Sequence, residues 1–288
     1  MIFLRYVNCA LCPRQCHIDR TSGQTGFCGC PDTALVAKVM LHKWEEPALA
    51  GKGGSGAIFF GGCTLGCKYC QNQAISGTPV GTPTDSTGLR RMMEDLIAQG
   101  AENIDLVTPT HFLPTLLPAL TPKLPVPVVY NCGGYERTET IEALNGLVDI
   151  YLPDMKYGDN TLAAALSGAP DYFETAASAI QTMVRQVGSP QWNGEKLTRG
   201  VIIRHLILPG HVENSLKVLD WIGEAFAPGQ VLVSLMRQYT PMGGLPAPLD
   251  RAVAEEEYQA VLSWMYLNGL QGFTQEASAA DSHFIPDF

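Results

Sequence analysis

The sequence predicts a mixed α/β protein: a partial (β/α)6 barrel of the TIM type, preceded by a small cysteine-rich module. Three observations carry that expectation. From Ile58 onward, short apolar runs alternate with helix-like segments, as a parallel sheet with crossover helices requires. The alternation repeats six times, which favours an open barrel over a closed eight-unit one, although a doubly wound open sheet produces the same order. Eight of the nine cysteines lie before residue 71, so they form a compositional block of their own. With 288 residues, 46% of them hydrophobic, the chain can bury a large core, and the expected division is 1–45 for the module and 46–288 for the barrel.

Taken in order, Ala34 to Met40 is a strand candidate, and GKGGSG at 51–56 reads as a linker or tight turn because it precedes a strand and lacks a phosphate-loop ending. The first barrel strand is Ile58 to Gly61. A helix follows at Thr87 to Gln99, where Leu89, Met92, Met93, Leu96 and Ile97 share one face and Gly100 suits the stop. The remaining strands are expected near Ile104 to Val107, Val126 to Tyr130, Val148 to Leu152, Val201 to Leu208 and Val231 to Met236. Helices are expected between Leu113 and Leu120, around Ile141 and Leu144, from Glu213 to Phe226 and from Ala254 to Asn268.

Two cysteine sets stand out. Cys63, Cys67 and Cys70 follow the first strand at C-x3-C-x2-C spacing. Three thiolates from one loop can hold three corners of a four-iron cluster and leave the fourth iron without a protein ligand. A structural zinc would lack a local fourth ligand, a disulfide would leave one thiol over, and glycines at 61, 62 and 66 speak for a tight loop instead of a packed segment. The earlier set, Cys9, Cys12, Cys16 and Cys28, has the spacing of a closed auxiliary zinc or iron–sulfur site; Cys30 is the alternative to Cys28 as its closing ligand, and His17 is a substitute ligand that in such a set is more often a bystander. In a glycine-rich stretch of this kind a metal replaces the apolar core.

The net charge of −9 and the lack of a dense basic run argue against nucleic acid as a partner. The opening MIFLRYVNCA is interrupted by Arg5 and Asn8, and no stretch approaches a membrane span, so a cytoplasmic protein without membrane association is expected. Reduced cysteines fit that compartment. In either architecture the site lies at the carboxyl ends of the strands. That rule collects the cysteine loop, Thr108 to His111, Asn131 to Glu136, Asp154 with Lys156, and Arg204 with Pro209 on one rim.

With the rim assembled, the chain resembles the radical S-adenosylmethionine (radical SAM) superfamily, in particular an uncharacterised branch related to pyruvate formate-lyase activating enzymes. The segments that carry the resemblance are CALCPRQC with GFCG, GGSGAIFFGGCTLGCKYCQN, NIDLVTPTH, VVYNCGGYE, VDIYLPDMKYGD, RHLILPG, VSLMRQYTP and FIPDF. It implies that Cys63, Cys67 and Cys70 hold a [4Fe–4S] cluster whose open iron is chelated by the amino and carboxylate groups of SAM, and that Tyr69 approaches the adenine through its backbone. It also implies that Asp154, Lys156, Arg204 and Pro209 line the SAM pocket, and Thr108 and Asn131, on the same rim, are expected to bind the cofactor with them. Two departures are visible. Thr108-Pro109-Thr110 stands where the activating enzymes have a GGE-type segment, and Gly133-Gly134-Tyr135-Glu136 comes one strand too late to replace it. Arg237-Gln238-Tyr239-Thr240 stands where they have a histidine.

The chemistry implied is reductive cleavage of SAM to a 5′-deoxyadenosyl radical that abstracts hydrogen from a substrate, either a glycine or peptide of a protein partner or a small molecule. An electron donor such as flavodoxin or ferredoxin is implied with it. The alternatives are a non-catalytic iron–sulfur electron-transfer protein and a zinc-stabilised scaffold. The terminal segment His283 to Phe288, with aromatic Phe284 and Phe288, is expected to dock on the barrel.

Overall fold

The computed structural model describes residues 4–275. The expected docking of His283 to Phe288 lies outside the described residues. Among the described residues ten strands form the sheet: β1 Ala34–His42, β2 Ser55–Phe60, β3 Thr82–Thr84, β4 Ile104–Val107, β5 Val128–Cys132, β6 Ile150–Pro153, β7 Gln191–Asn193, β8 Lys196–Leu206, β9 Leu232–Met236 and β10 Gly272–Thr274. Their order is β10-β9-β8-β6-β5-β4-β2-β1-β3, with β7 hairpinned onto β8. From β2 to β10 every pairing along this path is parallel, while β1 runs antiparallel to both β2 and β3. The two ends of the path do not pair, so the barrel is open.

The six expected barrel strands are present, and β10 extends the parallel run to a seventh. Gly272-Phe273-Thr274 is too short to show a period of two, and its place is set by pairing with β9 instead of by its own composition. The first barrel strand begins at Ser55, earlier than expected, so the glycine run is a turn only through Gly54. Gly56 is inside β2 because a side chain there would press on Ala101 and Ile104, each 3.0 Å from an added Cβ.

Alternation along the strands separates two buried faces, as a sheet covered on both sides requires. Val128, Tyr130, Val201, Ile203, Val233 and Leu235 face outward into the layer beneath the helices. Val129, Leu152, Ile202 and Leu232 face the lumen, where they meet Ala48 and Leu49. Those two residues belong to a short helix, Pro47–Ala50, that crosses the amino-terminal end of the barrel and closes it as a floor. The helices Ser86–Ala98, Tyr172–Val187, Val212–Ala225 and Glu255–Leu267 wrap the outside, each burying an apolar stripe. Asp85 caps the first of these by accepting from the Gly88 amide at 2.7 Å. Among the described residues no helix is long and apolar enough to cross a membrane.

Candidate metal and cofactor site

A cavity of about 860 Å³ occupies the lumen above the floor, within the size range of small-molecule and cofactor sites. Cys63, Cys67 and Cys70 line its upper end, together with Tyr69, Thr108, Asn131, Asp154, Lys156 and Arg204. Pro209 is buried in the turn after β8 and is not among the lining residues. Nor are Thr110 and His111. Thr110 turns to Glu136, donating at 2.6 Å, and His111 turns to the N-terminal module.

The cysteine loop is shaped by close approach. Gly62, at φ +80°, would put a Cβ 2.2 Å from the Cys30 sulfur and 2.9 Å from the Cys28 carbonyl oxygen, so only glycine fits. The Gly62 amide donates to the Ile75 carbonyl at 2.7 Å and the Lys68 amide to the Leu166 carbonyl at 2.9 Å. The Leu65 amide points at the Cys63 sulfur, 3.4 Å away, and the Ser76 hydroxyl at the Cys70 sulfur, 3.3 Å away. Burial pushes the Cys63 thiol up to about 12, and it raises Cys67 as well against the pull of Lys156. For Cys63 and Cys67 a bound cationic centre would offset the burial penalty on the thiolate. A cubane takes each thiolate on a different iron, so its ligands need not converge on a point. This loop therefore fits a three-ligand cluster. Among the described residues no three His, Cys, Asp or Glu side chains close on a single ion as they stand.

Beside the loop a charged network crosses the lumen. Arg204 donates to Asp154 at 2.9 Å and to Asn131 at 2.5 Å, and Lys156 reaches the other Asp154 oxygen at 2.5 Å. Burial raises the Asp154 pKa, but Arg204 and Lys156 together outweigh it and hold the carboxylate below its ordinary range. Lys156 is likewise penalised by burial and then raised above its usual value, by Asp154 first and by Cys67 next. Tyr172 fixes the strand ends beneath them: its hydroxyl accepts from the Lys156 amide and lies 2.9 Å from the carbonyl oxygens of Gly133 and Asp154. Thr108 is held at φ +58°, a left-handed conformation that costs a β-branched residue roughly 1–2 kcal/mol. Such strain concentrates at functional sites.

Sequence reasoning missed the floor. Glu45 and Glu46 line the cavity from the segment before Pro47, and Glu45 lies 3.8 Å from Arg204. Burial, then Glu45, pushes Glu46 up to about 7. The fully buried Asp105 accepts from Asn131 at 3.3 Å, and burial followed by Glu45 raises it well above the carboxylate range. Among the described residues its other oxygen has no hydrogen-bond partner. A lone aspartate within the apolar run Ile104–Val107 was the available signal. In the segment after β9, Gln238, Tyr239 and Thr240 line the cavity, whereas Arg237 turns away to Glu255 at 2.7 Å.

The N-terminal module packs against this end of the barrel. Cys9, Cys12, Cys16 and Cys28 surround a second cavity of about 10 Å³, along with Arg20 and His111. Cys30 is outside it, its thiol directed at the Cys28 and Gly61 carbonyls, and His17 pairs with Asn8 at 3.1 Å. Arg20 is 2% exposed and donates to the carbonyls of Pro31 and His111, and no carboxylate pairs with it among the described residues. The His111 Nε2 atom is 2.8 Å from the Gly61 carbonyl, while its buried Nδ1 has no partner among the described residues.

Comparison with known proteins agrees with this geometry. The family described as a 4Fe–4S single cluster domain matches residues 49–112, which include the cysteine loop. An uncharacterised protein of Methanocaldococcus jannaschii is 28% identical over 250 residues, covering 82% of this chain and 67% of that protein. Among solved structures, a radical SAM methyltransferase from Sphaerobacter thermophilus superposes with a TM-score of 0.53 at 13% identity, covering 77% of this chain and 66% of its own. Streptococcus suis SuiB bound to precursor peptide SuiA gives 0.53 at 14% identity over 75% and 47%, and methylornithine synthase (PylB) gives 0.50 at 15% over 76% and 70%. The chain thus spans less than two thirds of the first two structures' lengths. In fold, the chain is a partial barrel like those of these radical SAM structures.

Proposed function

We propose that this chain is a radical SAM enzyme that acts on a peptide or protein substrate in the cytoplasm. In this reading Cys63, Cys67 and Cys70 hold a [4Fe–4S] cluster and the lumen binds SAM. When bound and reduced by a donor of the flavodoxin or ferredoxin type, the cluster supplies the electron that cleaves SAM to methionine and a 5′-deoxyadenosyl radical, which takes a hydrogen atom from the substrate. The observation that carries the reading is the opening of all three thiols onto one lumen whose wall is a charged network from neighbouring strands.

The residues have separable tasks. Lys156 and Arg204 offer cationic donors for a carboxylate, and Asp154 keeps both charged and aimed. Asn131 orients the Arg204 fork, and Thr108 bends the β4 end around the cavity. The apolar lumen wall and the floor exclude water from a reacting carbon that must sit within about 3–3.5 Å of its partner. Likeness to a structure holding a precursor peptide supports the peptide class, and hydrogen abstraction from a glycine of a protein partner is the form the resemblance to activating enzymes favours. The four thiols around Arg20 and His111 support an auxiliary zinc or iron–sulfur centre, loaded as the sulfurs draw inward.

The test is anaerobic reconstitution with iron and sulfide, then dithionite and SAM. We expect 5′-deoxyadenosine and methionine from the wild type and none from Cys63→Ala. Cluster-loaded protein that yields neither product, or that does not bind SAM in equilibrium dialysis, would overturn the proposal and point to an electron carrier.

A further inference from the structure

Arg14 lies between two cysteines of the N-terminal module, yet its side chain serves the other cysteine loop. Its Nε donates to the Thr64 carbonyl at 3.0 Å and its Nη2 to the Leu65 carbonyl at 3.1 Å. The same guanidinium donates to the carbonyls of Ser167 at 2.8 Å and Gly168 at 2.5 Å, at the carboxyl end of the helix Asn160–Ser167. A cation is favoured there by the helix dipole. Phe27 covers the guanidinium at 3.8 Å from its ring centroid and Tyr135 stands at 5.2 Å. The fork is thus fixed in plane and direction.

The two peptides that Arg14 grips point their other ends at a cluster ligand. The Leu65 amide, on the peptide whose oxygen is Thr64's, donates to the Cys63 sulfur at 3.4 Å. The Gly66 amide, on the peptide whose oxygen is Leu65's, also hydrogen-bonds that sulfur. Successive amides aimed at one atom form an anion-holding nest. A charge on the oxygen side of a peptide polarises its N–H, so each bond to sulfur is strengthened from behind. Hydrogen bonds to cluster sulfurs help set a cluster's reduction potential, and donors that stabilise the added electron raise it.

We infer that Arg14 is a positioning residue of the module that raises the reduction potential of the cluster on Cys63, Cys67 and Cys70, acting through the Thr64–Leu65 and Leu65–Gly66 peptides. This rests on the cluster reading above. It makes the cysteine-rich module part of the electron-accepting apparatus.

The experiment is an anaerobic redox titration of the reconstituted full chain with dithionite, followed by electron paramagnetic resonance and repeated with SAM to identify the cluster it touches. In Arg14→Gln the ratio of reduced to oxidised cluster at a fixed potential should fall about tenfold, a shift of about 59 mV to more negative potential for a one-electron couple. Arg14→Lys keeps the charge but not the planar fork and should shift in the same direction by less. Arg14 is half-buried and, among the described residues, its hydrogen bonds go to main-chain carbonyls, so Arg14→Lys serves if Arg14→Gln loads poorly. A normally titrating wild type beside unshifted, cluster-loaded variants overturns the inference alone. A wild type that takes up no SAM-responsive cluster overturns the reading it rests on as well.

Discussion

Replacing Glu136 by glutamine is expected to flatten the decline of stability with rising pH. The Glu136 carboxyl is 2% exposed, its Oε1 accepts from Thr110 at 2.6 Å, and its Oε2 has no partner among the described residues. Burial outweighs the hydrogen bond from Thr110 and pushes its pKa up from 4.5 to about 8. Between those values the folded chain keeps a proton that the unfolded chain releases. This contribution is therefore fully present below the unfolded pKa and is lost as pH rises through the folded one. At about 1.36 kcal/mol per pH unit the whole interval amounts to roughly 5 kcal/mol, of which roughly 3 falls between about pH 6 and pH 8.5. Glutamine removes that slope at a pH-independent cost of about 1–3 kcal/mol for its own unpartnered amide. Urea unfolding followed by circular dichroism, anaerobic and at both pH values, should show the gap between the two proteins moving in the variant's favour by an amount of this order. Parallel pH profiles would refute the reasoning, because they would mean that the carboxylate ionises without penalty in the folded state.

Further outcomes are expected at the loop and the network. Gly62→Ala, placing a methyl 2.2 Å from the Cys30 sulfur at φ +80°, should destabilise by roughly 2–5 kcal/mol and lower iron uptake. Gly229→Ala, at φ +75° with nothing within 4 Å of the added carbon, should cost only about 1–2 kcal/mol, and equal losses in the two would argue against the contact. Asp154→Asn leaves Lys156 and Arg204 facing each other without their shared counter-charge; a loss of about 3–5 kcal/mol in urea unfolding, with weaker SAM binding in dialysis, is expected. Zinc and iron analysis should show less metal per chain in a Cys9→Ala/Cys12→Ala protein than in the wild type.

Much of this site was legible because strand ends are local features. A run such as VVYNC or DIYLP states its period and its terminus together, so Asn131, Asp154 and Arg204 could be placed on one rim before any packing was known. What escaped was decided by long-range contact. Glu45 and Glu46 sit in a segment that reads as a polar approach to a turn, and only the folding of Pro47–Ala50 across the lumen brings them to Arg204. Proximity to a strand end was also too generous a rule. It admitted Pro209, whose place is the turn, and His111, whose ring faces the opposite layer. Arg14 gave no signal at all, since its partners are backbone atoms about 50 and 150 residues away.

The module's contacts also bear on the order in which the chain is made. Besides Arg14 on Ser167 and Gly168, the Ala10 carbonyl accepts from Arg137 and the Leu11 carbonyl from Thr140. The first cysteines therefore leave the ribosome well before the residues that clasp them. At about 5–20 residues per second, this interval lasts on the order of ten seconds. During it Cys9, Cys12, Cys16 and Cys28 are not yet enclosed by these contacts, and closure follows when the helix ending at Ser167 arrives. Synthesis order alone therefore separates the making of the four thiols from the making of the contacts that cover them.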